Sequence, residues 1–339
     1  MKPNDPKYTQ FALSREMMEI VDVVRKFDPD RTKEIAAAIR PVGRLMLTGE
    51  GSSRLLPAKN ARRKALTWGM DLQVVTDGAR QAATYDLAKF AVFAASNSGR
   101  TKEVVKLMQK LQAAGHPRRY SLSANAGTLL ESHAAAGFVL TCGWEQAVAA
   151  TKSVAEQALF YQSILCHLAG RDMRKMLAGL DWKVEHALSM PIPVEVVQAA
   201  AGANIIYFAG LNDGVAEELT LKTNEITRKP ADFLEGTYAV HGIEEVMDGR
   251  DVVFVVDPIE EDLPKFHEVL VQGVGMKLFA IATRKQDLVP TLVVPDAGEM
   301  NPFVFLAAGW NLLVEIGLAL DINLDKPERA RKIGYEFTG

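Results

Sequence analysis

Cysteine is scarce in this chain of 339 residues: there are two, Cys142 and Cys166. Their spacing fits neither a disulfide framework nor a metal cluster, which points to a reducing compartment. Six histidines occur without ligand-like spacing to one another or to carboxylates, so no metal is expected. Net charge is only -3, which gives no reason to expect nucleic acid or an anionic membrane as partner. The one basic cluster, Lys59 to Lys64, reads as a solvated helix face. The polar N-terminus, Met-Lys-Pro-Asn-Asp-Pro-Lys, has no apolar signal core. The longest apolar region, Phe303 to Leu320, is broken by Gly309, Asn311, Glu315 and Gly317 and suits a core helix better than a membrane span. A cytoplasmic protein is therefore expected. The GxGxxG and GxxxxGK[ST] spacings are missing, as are a nucleophile elbow and a catalytic-cysteine context. No cofactor is expected.

What is present is organised around Phe93-Ala-Ala-Ser96-Asn97-Ser98-Gly99-Arg-Thr101-Lys-Glu103. The apolar run from Phe90 to Ala95 reads as a buried strand. A hydroxyl-rich turn follows, then an amphipathic helix with Val104, Val105, Leu107, Met108 and Leu111 inward. A strand, a Ser/Gly turn and a helix N-terminus make an anion site, because N–H groups, hydroxyls and the helix dipole all favour negative charge. The same residues could also form an ordinary N-cap turn. A second turn, Thr48-Gly-Glu-Gly51-Ser52-Ser53-Arg54, also follows an apolar run, Leu45 to Leu47, and opens a helix. In a parallel sheet two such turns can converge on one ligand.

Along the chain, Phe11 to Phe27 reads as a helix with Ser14 as a candidate N-cap, and Asp30 caps a second helix reaching Ile39. Strand candidates lie at 44–48, 71–75, 90–95, 118–122 and 137–140, with helices at 53–67, 101–114 and near 128–131, then a long helix from Thr151 to about Ala169. Alternation of this kind predicts a parallel sheet with helices on both faces. Residues 171–193 read as a linker helix closed by Pro191 and Pro193. The alternation then restarts, with strands at 204–209, 251–256, 276–282 and 290–294 and helices at 212–228, near 264–272 and at 303–320. The halves are built alike, which suggests duplication of one α/β unit. The second half lacks the Ser-rich turns, so the anion site is assigned to the first. The expected domains are a helical lead-in (1–30), a first domain (31–170), the linker (171–193) and a second domain with the tail (194–339).

Three further groups could carry chemistry. Glu218, Lys222 and Glu225 stand at i, i+4 and i+7 and share a helix face. That is either an ion-paired surface stripe or a base held beside a cation, as proton transfer requires. His241 precedes Gly242 in a loop; His116, His133, His167, His186 and His267 read as structural. Trp144-Glu145-Gln-Ala-Val148-Ala149-Ala150-Thr151-Lys152 leads into the long helix, where a lysine opposes the helix dipole and hints at a ligand or partner carboxylate.

Taken in order, these motifs resemble the sugar isomerase (SIS) domain proteins that carry two tandem SIS domains. The chain looks most like the isomerase half of glucosamine-6-phosphate synthase and its stand-alone relatives. Ser96-Asn97-Ser98-Gly99-Arg-Thr101 resembles the family's phosphate loop, and Gly51-Ser52-Ser53 its first loop. Glu145 to Lys152 resembles its Glu-x-x-Val-Ala-Ser-Thr-Lys segment, with Ala150 for Ser. Glu218, Lys222 and Glu225 resemble its Glu-x-x-x-Lys-x-x-Glu helix, Tyr238 to Gly242 its loop ending in His-Gly, and Lys332 its C-terminal lysine. The resemblance implies an α/β fold of two tandem doubly wound domains, each a mainly parallel sheet flanked by helices. It implies a homodimer with shared active sites and an anionic sugar as substrate. Ser52, Ser96, Ser98 and Thr101 would hold the phosphate, with Gly51, Ser53, Asn97, Val148, Ala149, Lys152 and Glu218 also lining the substrate site. His241 would open the sugar ring, Glu225 would move a proton between C2 and C1, and Lys222 and Lys332 would stabilise the oxyanion or assist ring opening. The expected activity is aldose–ketose isomerisation of a hexose or hexosamine 6-phosphate. The alternatives are an amino-sugar phosphate deaminase, a fructosamine-phosphate deglycase or a non-catalytic sugar-phosphate sensor. Met1 begins directly at the lead-in, so glutamine-dependent ammonia transfer is not expected. Arg100 stands where the family often has an acid, Ile243 stands for Pro, and Ala-Gly-Leu-Asn-Asp replaces Gly-Arg-Gly. These departures leave the anionic group open between phosphate and sulfonate.

Overall fold

The computed structural model describes residues 1–338. It contains two parallel five-stranded sheets, one in each of two compact units. The first sheet lies in the unit made of 22–145, 150–178 and the segment from 330 onward. Its strands are β1 (Arg44–Gly49), β2 (Gln73–Gly78), β3 (Ala91–Ala95), β4 (Arg119–Ser123) and β5 (Ala136–Val139), in the order β2-β1-β3-β4-β5. All neighbours are parallel. Every residue of β3 is buried, as a central parallel strand covered on both faces requires. Phe93 anchors an aromatic group, with ring centroids 5.0 Å from Tyr120 and 5.7 Å from Tyr161. Helix α1 (Leu55–Thr67) follows β1, α2 (Lys102–Ala113) follows β3, and α3 (Lys152–Ala169) follows β5. The five apolar residues predicted on the inner face of α2 are buried.

The second unit contains 1–21, 146–149 and 179–329. Its strands are β6 (Ile206–Gly210), β7 (Ala231–Glu235), β8 (Val252–Val256), β9 (Lys277–Ala282) and β10 (Thr291–Val293), in the order β10-β9-β8-β6-β7. Helix α4 (Val215–Thr227) follows β6, the short α5 (Leu263–Phe266) follows β8 and continues as a π-helical stretch, and α6 (Asn301–Ala319) closes the unit. Among the described residues one helix, Gly298–Ala319, is long and apolar enough to cross a membrane. It is mostly buried against its own unit, including Trp310 and Phe305.

Several local expectations need correction. The single helix expected over Phe11 to Phe27 is two, Ala12–Met18 and Ile20–Lys26. Ser14 is not their cap: the Asp325 carboxylate accepts from Ala12 N (2.7 Å) and Leu13 N (2.9 Å) instead. Asp28, not Asp30, caps the next turn. The basic cluster in α1 is not a fully solvated face, because Lys64 is buried with its ammonium 5.7 Å from the Trp68 ring centroid. The expected linker helix is two, Met173–Leu177 and Leu180–Ser189.

Packing of α6 on α4 depends on Gly309. A Cβ there would overlap the side chain of Leu219. Gly309→Val is expected to cost about 1–3 kcal/mol through overpacking, read as a lowered urea midpoint at unchanged slope. Leu219→Ala in the same chain is expected to recover part of that loss.

Candidate active site

The chain leaves β1 toward β2, then returns across it to form β3 on the other side. The carboxyl ends of β1 and β3 are therefore a topological switch point, where α/β sheets collect ligands. The two Ser-rich turns stand at these ends. Gly51–Ser53 forms a tight turn with Ser52 buried. A Cβ on Gly49 would come within 2.9 Å of the Ala95 carbonyl oxygen, which shows how closely the two turns approach.

In the second turn three hydroxyls converge. Ser96 Oγ lies 2.8 Å from Thr101 Oγ1 and 3.5 Å from Ser98 Oγ, and Ser96 is only 3% exposed. Gly99 N donates to Ser96 Oγ and Arg100 N to Ser98 Oγ. Gly99 has φ +63°, and a Cβ would collide with Thr128, so the turn demands glycine. Thr101 is the N-cap of the 12-residue α2 but makes no side-chain cap bond, its hydroxyl being engaged with Ser96. Three hydroxyls thus lie close together at a helix N-terminus, an arrangement whose chemistry suits a tetrahedral oxyanion.

Asn97 points elsewhere. Its amide donates to Glu145 Oε2 (2.7 Å) and Ser153 Oγ (2.6 Å). Glu145 is wholly buried and also accepts from the amide N (2.6 Å) and hydroxyl (3.1 Å) of Thr151. That carboxylate offsets the poor dipole position of Lys152 at the start of α3, which is buried. Val148 and Ala149 lie in the 146–149 segment, which groups with the second unit. There the Glu16 carboxylate accepts from the amides of Gln146 and Ala147. Cys142 has no catalytic character, since burial and the nearby Glu156 and Glu145 hold its thiol protonated.

Lys332 lies in a tail that the sequence pattern left unassigned. Thr101 pairs with Glu336 in an antiparallel bridge, Lys102 N donates to Tyr335 O (2.9 Å) and Phe337 N to Arg100 O (3.0 Å). The Arg100 guanidinium meets Glu336 at 3.2 Å. Lys332 Nζ stands 5.8 Å from the Trp144 ring centroid. A cavity of about 440 Å³ opens beside Ser98, bordered by Arg100, Asn125, Thr128, Trp144 and Ile333. Of these, Asn125, Thr128 and Ile333 were not singled out as candidates. They fall on the turn after β4 and on the tail, neither of which carries a motif.

In the second unit, Lys222 settles the question of the charged helix face. Glu218 and Lys222 are both fully buried, so this is not a surface stripe. Lys222 Nζ lies 2.7 Å from Glu225 Oε2 and 3.3 Å from Glu218 Oε1. Glu225 alone reaches solvent, its side chain being 25% exposed. Burial lowers the pKa of Lys222, but Glu225 and Glu218 outweigh it and hold the ammonium above its ordinary value of 10.5. His241 is exposed on the loop after Tyr238–Val240. The following Gly242 has φ +107°, which explains the His-Gly pair. Among the described residues no hydrogen bond joins the His241 ring to Glu218, Lys222 or Glu225. The other histidines are structural where their bonds show it: His116 Nε2 lies 2.9 Å from Leu87 O, and His167 Nε2 lies 2.8 Å from Pro29 O.

No known family profile and no curated protein matches the chain. Solved structures do. The C-terminal domain of a glucosamine-fructose-6-phosphate aminotransferase from Francisella tularensis is 18% identical, with a TM-score of 0.74 over 94% of this chain and 98% of that one. A tagatose-6-phosphate ketose/aldose isomerase from Escherichia coli is 18% identical, with a TM-score of 0.75 over 96% of each chain. A glucosamine-6-phosphate deaminase from Thermotoga maritima is 16% identical, with a TM-score of 0.73 over 97% of this chain and 99% of that one. The fold is shared with sugar-phosphate enzymes. Its two parallel five-stranded sheets, flanked by helices, are the arrangement these likenesses establish.

The buried cation makes a prediction about stability. Lys222→Met leaves Glu218 buried without the ammonium beside it and is expected to cost about 3–5 kcal/mol. Glu225→Gln is expected to cost far less, since that side chain reaches water. The pKa of Lys222 is raised, so its contribution is fully present below pH 10.5 and is lost only as pH climbs through the raised value. Urea titrations of wild type and Lys222→Met at pH 7 and pH 11 check both the size and the sign.

Proposed function

We propose that this protein is an aldose–ketose isomerase acting on a hexose or hexosamine 6-phosphate, or on a sugar with a similar anionic group, by proton transfer between C1 and C2. The observation that carries this is the convergence of the Ser96, Ser98 and Thr101 hydroxyls at the N-terminus of α2, on the switch point of a sheet whose fold is shared with sugar-phosphate isomerases. The anion roles fall to these three residues and to Ser52, within loops that include Gly51 and Ser53. Asn97 acts as a positioning residue through Glu145 and Ser153. Val148, Ala149, Lys152 and Glu218 support the substrate site.

The proton-transfer roles fall to the second unit and the tail. Abstraction beside a carbonyl needs a base that can reach substrate and cations near the developing oxyanion. Glu225 is the one member of its buried group with solvent access, and it is the proposed base. Lys222 is the adjacent cation. Lys332 is the proposed second cation, and exposed His241 the acid–base for ring opening. The proposed assembly is a cytoplasmic homodimer of two tandem SIS domains with shared active sites, divided at the boundaries given by the sequence pattern.

A second reading uses the same steps. If the enolised intermediate loses an amine, the product is that of an amino-sugar phosphate deaminase or a fructosamine-phosphate deglycase. The shared fold of the Thermotoga maritima deaminase favours keeping it. Proton NMR in heavy water with a panel of hexose and hexosamine 6-phosphates separates the readings. Deuterium entering at C1 or C2 is expected for at least one sugar, and ammonia release then marks the deaminase. Glu225→Gln is expected to lower exchange by about 10²–10⁴-fold while its thermal transition remains cooperative. Ser98→Ala is expected to raise KM about tenfold while leaving kcat near wild type. Full exchange in Glu225→Gln removes it as the base, and no exchange with any sugar of the panel removes the isomerase.

A further inference from the structure

The cavity of about 440 Å³ beside Ser98 is of small-molecule size and far larger than one phosphate group needs. Ser98 is the only residue of the converging hydroxyl group on its border. The rest of the border belongs to the turn after β4, to Trp144 and to the tail. It carries one formal charge, the Arg100 guanidinium. Trp144, Leu129 and Ile333 give it an apolar wall, with Trp144 47% and Leu129 36% exposed.

Two side chains on this border have donors to spare. Arg100 Nη1 donates to Glu336 Oε1 at 3.2 Å. Both side chains of that pair are exposed, 62% and 43%, so the pair holds the guanidinium weakly. Among the described residues no other side chain pairs with it. Asn125 is partly buried, and its backbone carbonyl accepts from Ser123 Oγ at 2.9 Å. Its side-chain amide meets no hydrogen-bond partner among the described residues. The backbone behind both residues is tied down. Phe337 N donates to Arg100 O, Leu130 N to Gly99 O (3.0 Å) and Ala124 N to Asn97 O (3.1 Å). The turn after β4 is thereby fixed to the Ser-rich turn. A guanidinium and an amide are planar donors, and they match a planar carboxylate as hydroxyls match a tetrahedral oxyanion. The tail's Glu336 shows that a carboxylate reaches this guanidinium.

We propose that this cavity is a carboxylate subsite beside the Ser-rich turn, so that the substrate is a sugar phosphate that also carries a carboxylate. The inference rests on the reading of that turn as the phosphate site. The ligand's carboxylate takes the Arg100 guanidinium and the Asn125 amide and displaces Glu336. Its carbon skeleton packs on Trp144 and Ile333. A plain hexose 6-phosphate leaves those donors to water and the tail, and so binds more weakly.

Calorimetry with two matched pairs tests it: 3-phosphoglycerate against glycerol 3-phosphate, and 6-phosphogluconate against glucitol 6-phosphate. Within each pair the carbon skeleton is the same and a carboxylate replaces an alcohol. The two pairs bracket the spacing between the anionic groups. In at least one pair the acid is expected to bind wild type about tenfold tighter or more. Arg100→Gln is expected to remove that preference, and Asn125→Ala to reduce it. Glu336→Gln releases the guanidinium from outside the cavity border. It is expected to tighten the acid by about two- to fivefold, a gain that a merely structural Arg100–Glu336 tie would not produce. Ser98→Ala is expected to weaken both members of a pair alike. Equal binding within both pairs, a preference retained in Arg100→Gln, or weaker acid binding in Glu336→Gln overturns the carboxylate subsite and leaves the phosphate turn standing. Failure of all four compounds to bind overturns both readings.

Discussion

Parallel pairing is the constraint on which everything else depends. Two neighbouring parallel strands cannot be joined by a tight turn, so the chain must recross between them, here mostly through helices, although 283–290 join β9 to β10 without one. Every strand therefore ends at the same edge, and every turn into a helix gathers there. Because β1 and β6 are each interior and are flanked on both sides by strands made later, each sheet also acquires a point where the crossovers diverge. The fold supplies the crevices; the residues on the turns decide what each can hold.

The two units put different residues on that geometry. One crevice carries the Ser96, Ser98 and Thr101 hydroxyls beside the N-terminus of α2, with Glu103 in that helix's first turn. The other carries Asp213, whose carboxylate accepts from Val215 N at the start of α4. The two sheets share one strand order, and they diverge at the turns that follow their strands. Changing serine to aspartate at a helix N-terminus keeps the cap and reverses the preference for anions, so such divergence needs few substitutions.

How legible this was in the sequence depended on whether the signal was local. Strands β1, β3, β6 and β8 announce themselves as apolar runs because both faces are covered. Strand β7 was missed. It is an edge strand, and Asp232 and Glu235 are exposed, which hides its periodicity. The Ser96 to Thr101 turn was readable because its chemistry is contiguous. The docking of Tyr335 and Glu336 on Arg100 and Lys102 was not, because nothing in a charged tail identifies a partner more than 200 residues earlier. The Asp325 cap on Ala12 was hidden for the same reason. Spacing put Glu218, Lys222 and Glu225 on one face, but only burial could show that the face is internal.

Buried carboxylates serve as loop ties throughout, and this bears on how ready the anion turn is. A buried carboxylate is costly unless its oxygens are well supplied with donors. Glu156 is supplied by Thr141 N, Thr141 Oγ1, Cys142 N and Arg31. Glu145 is supplied by Asn97, Thr151 and Ser153. Each tie fixes several backbone groups at once, so the segment from 139 to 153 cannot shift without stranding a charge. Asn97 is the link between that segment and the Ser-rich turn. Its amide is held by Glu145 and Ser153, while the flanking Ser96 hydroxyl is engaged with Thr101. The ordering entropy of the turn has thus been met by folding, which is the condition under which a proposed small ligand would lose least on binding.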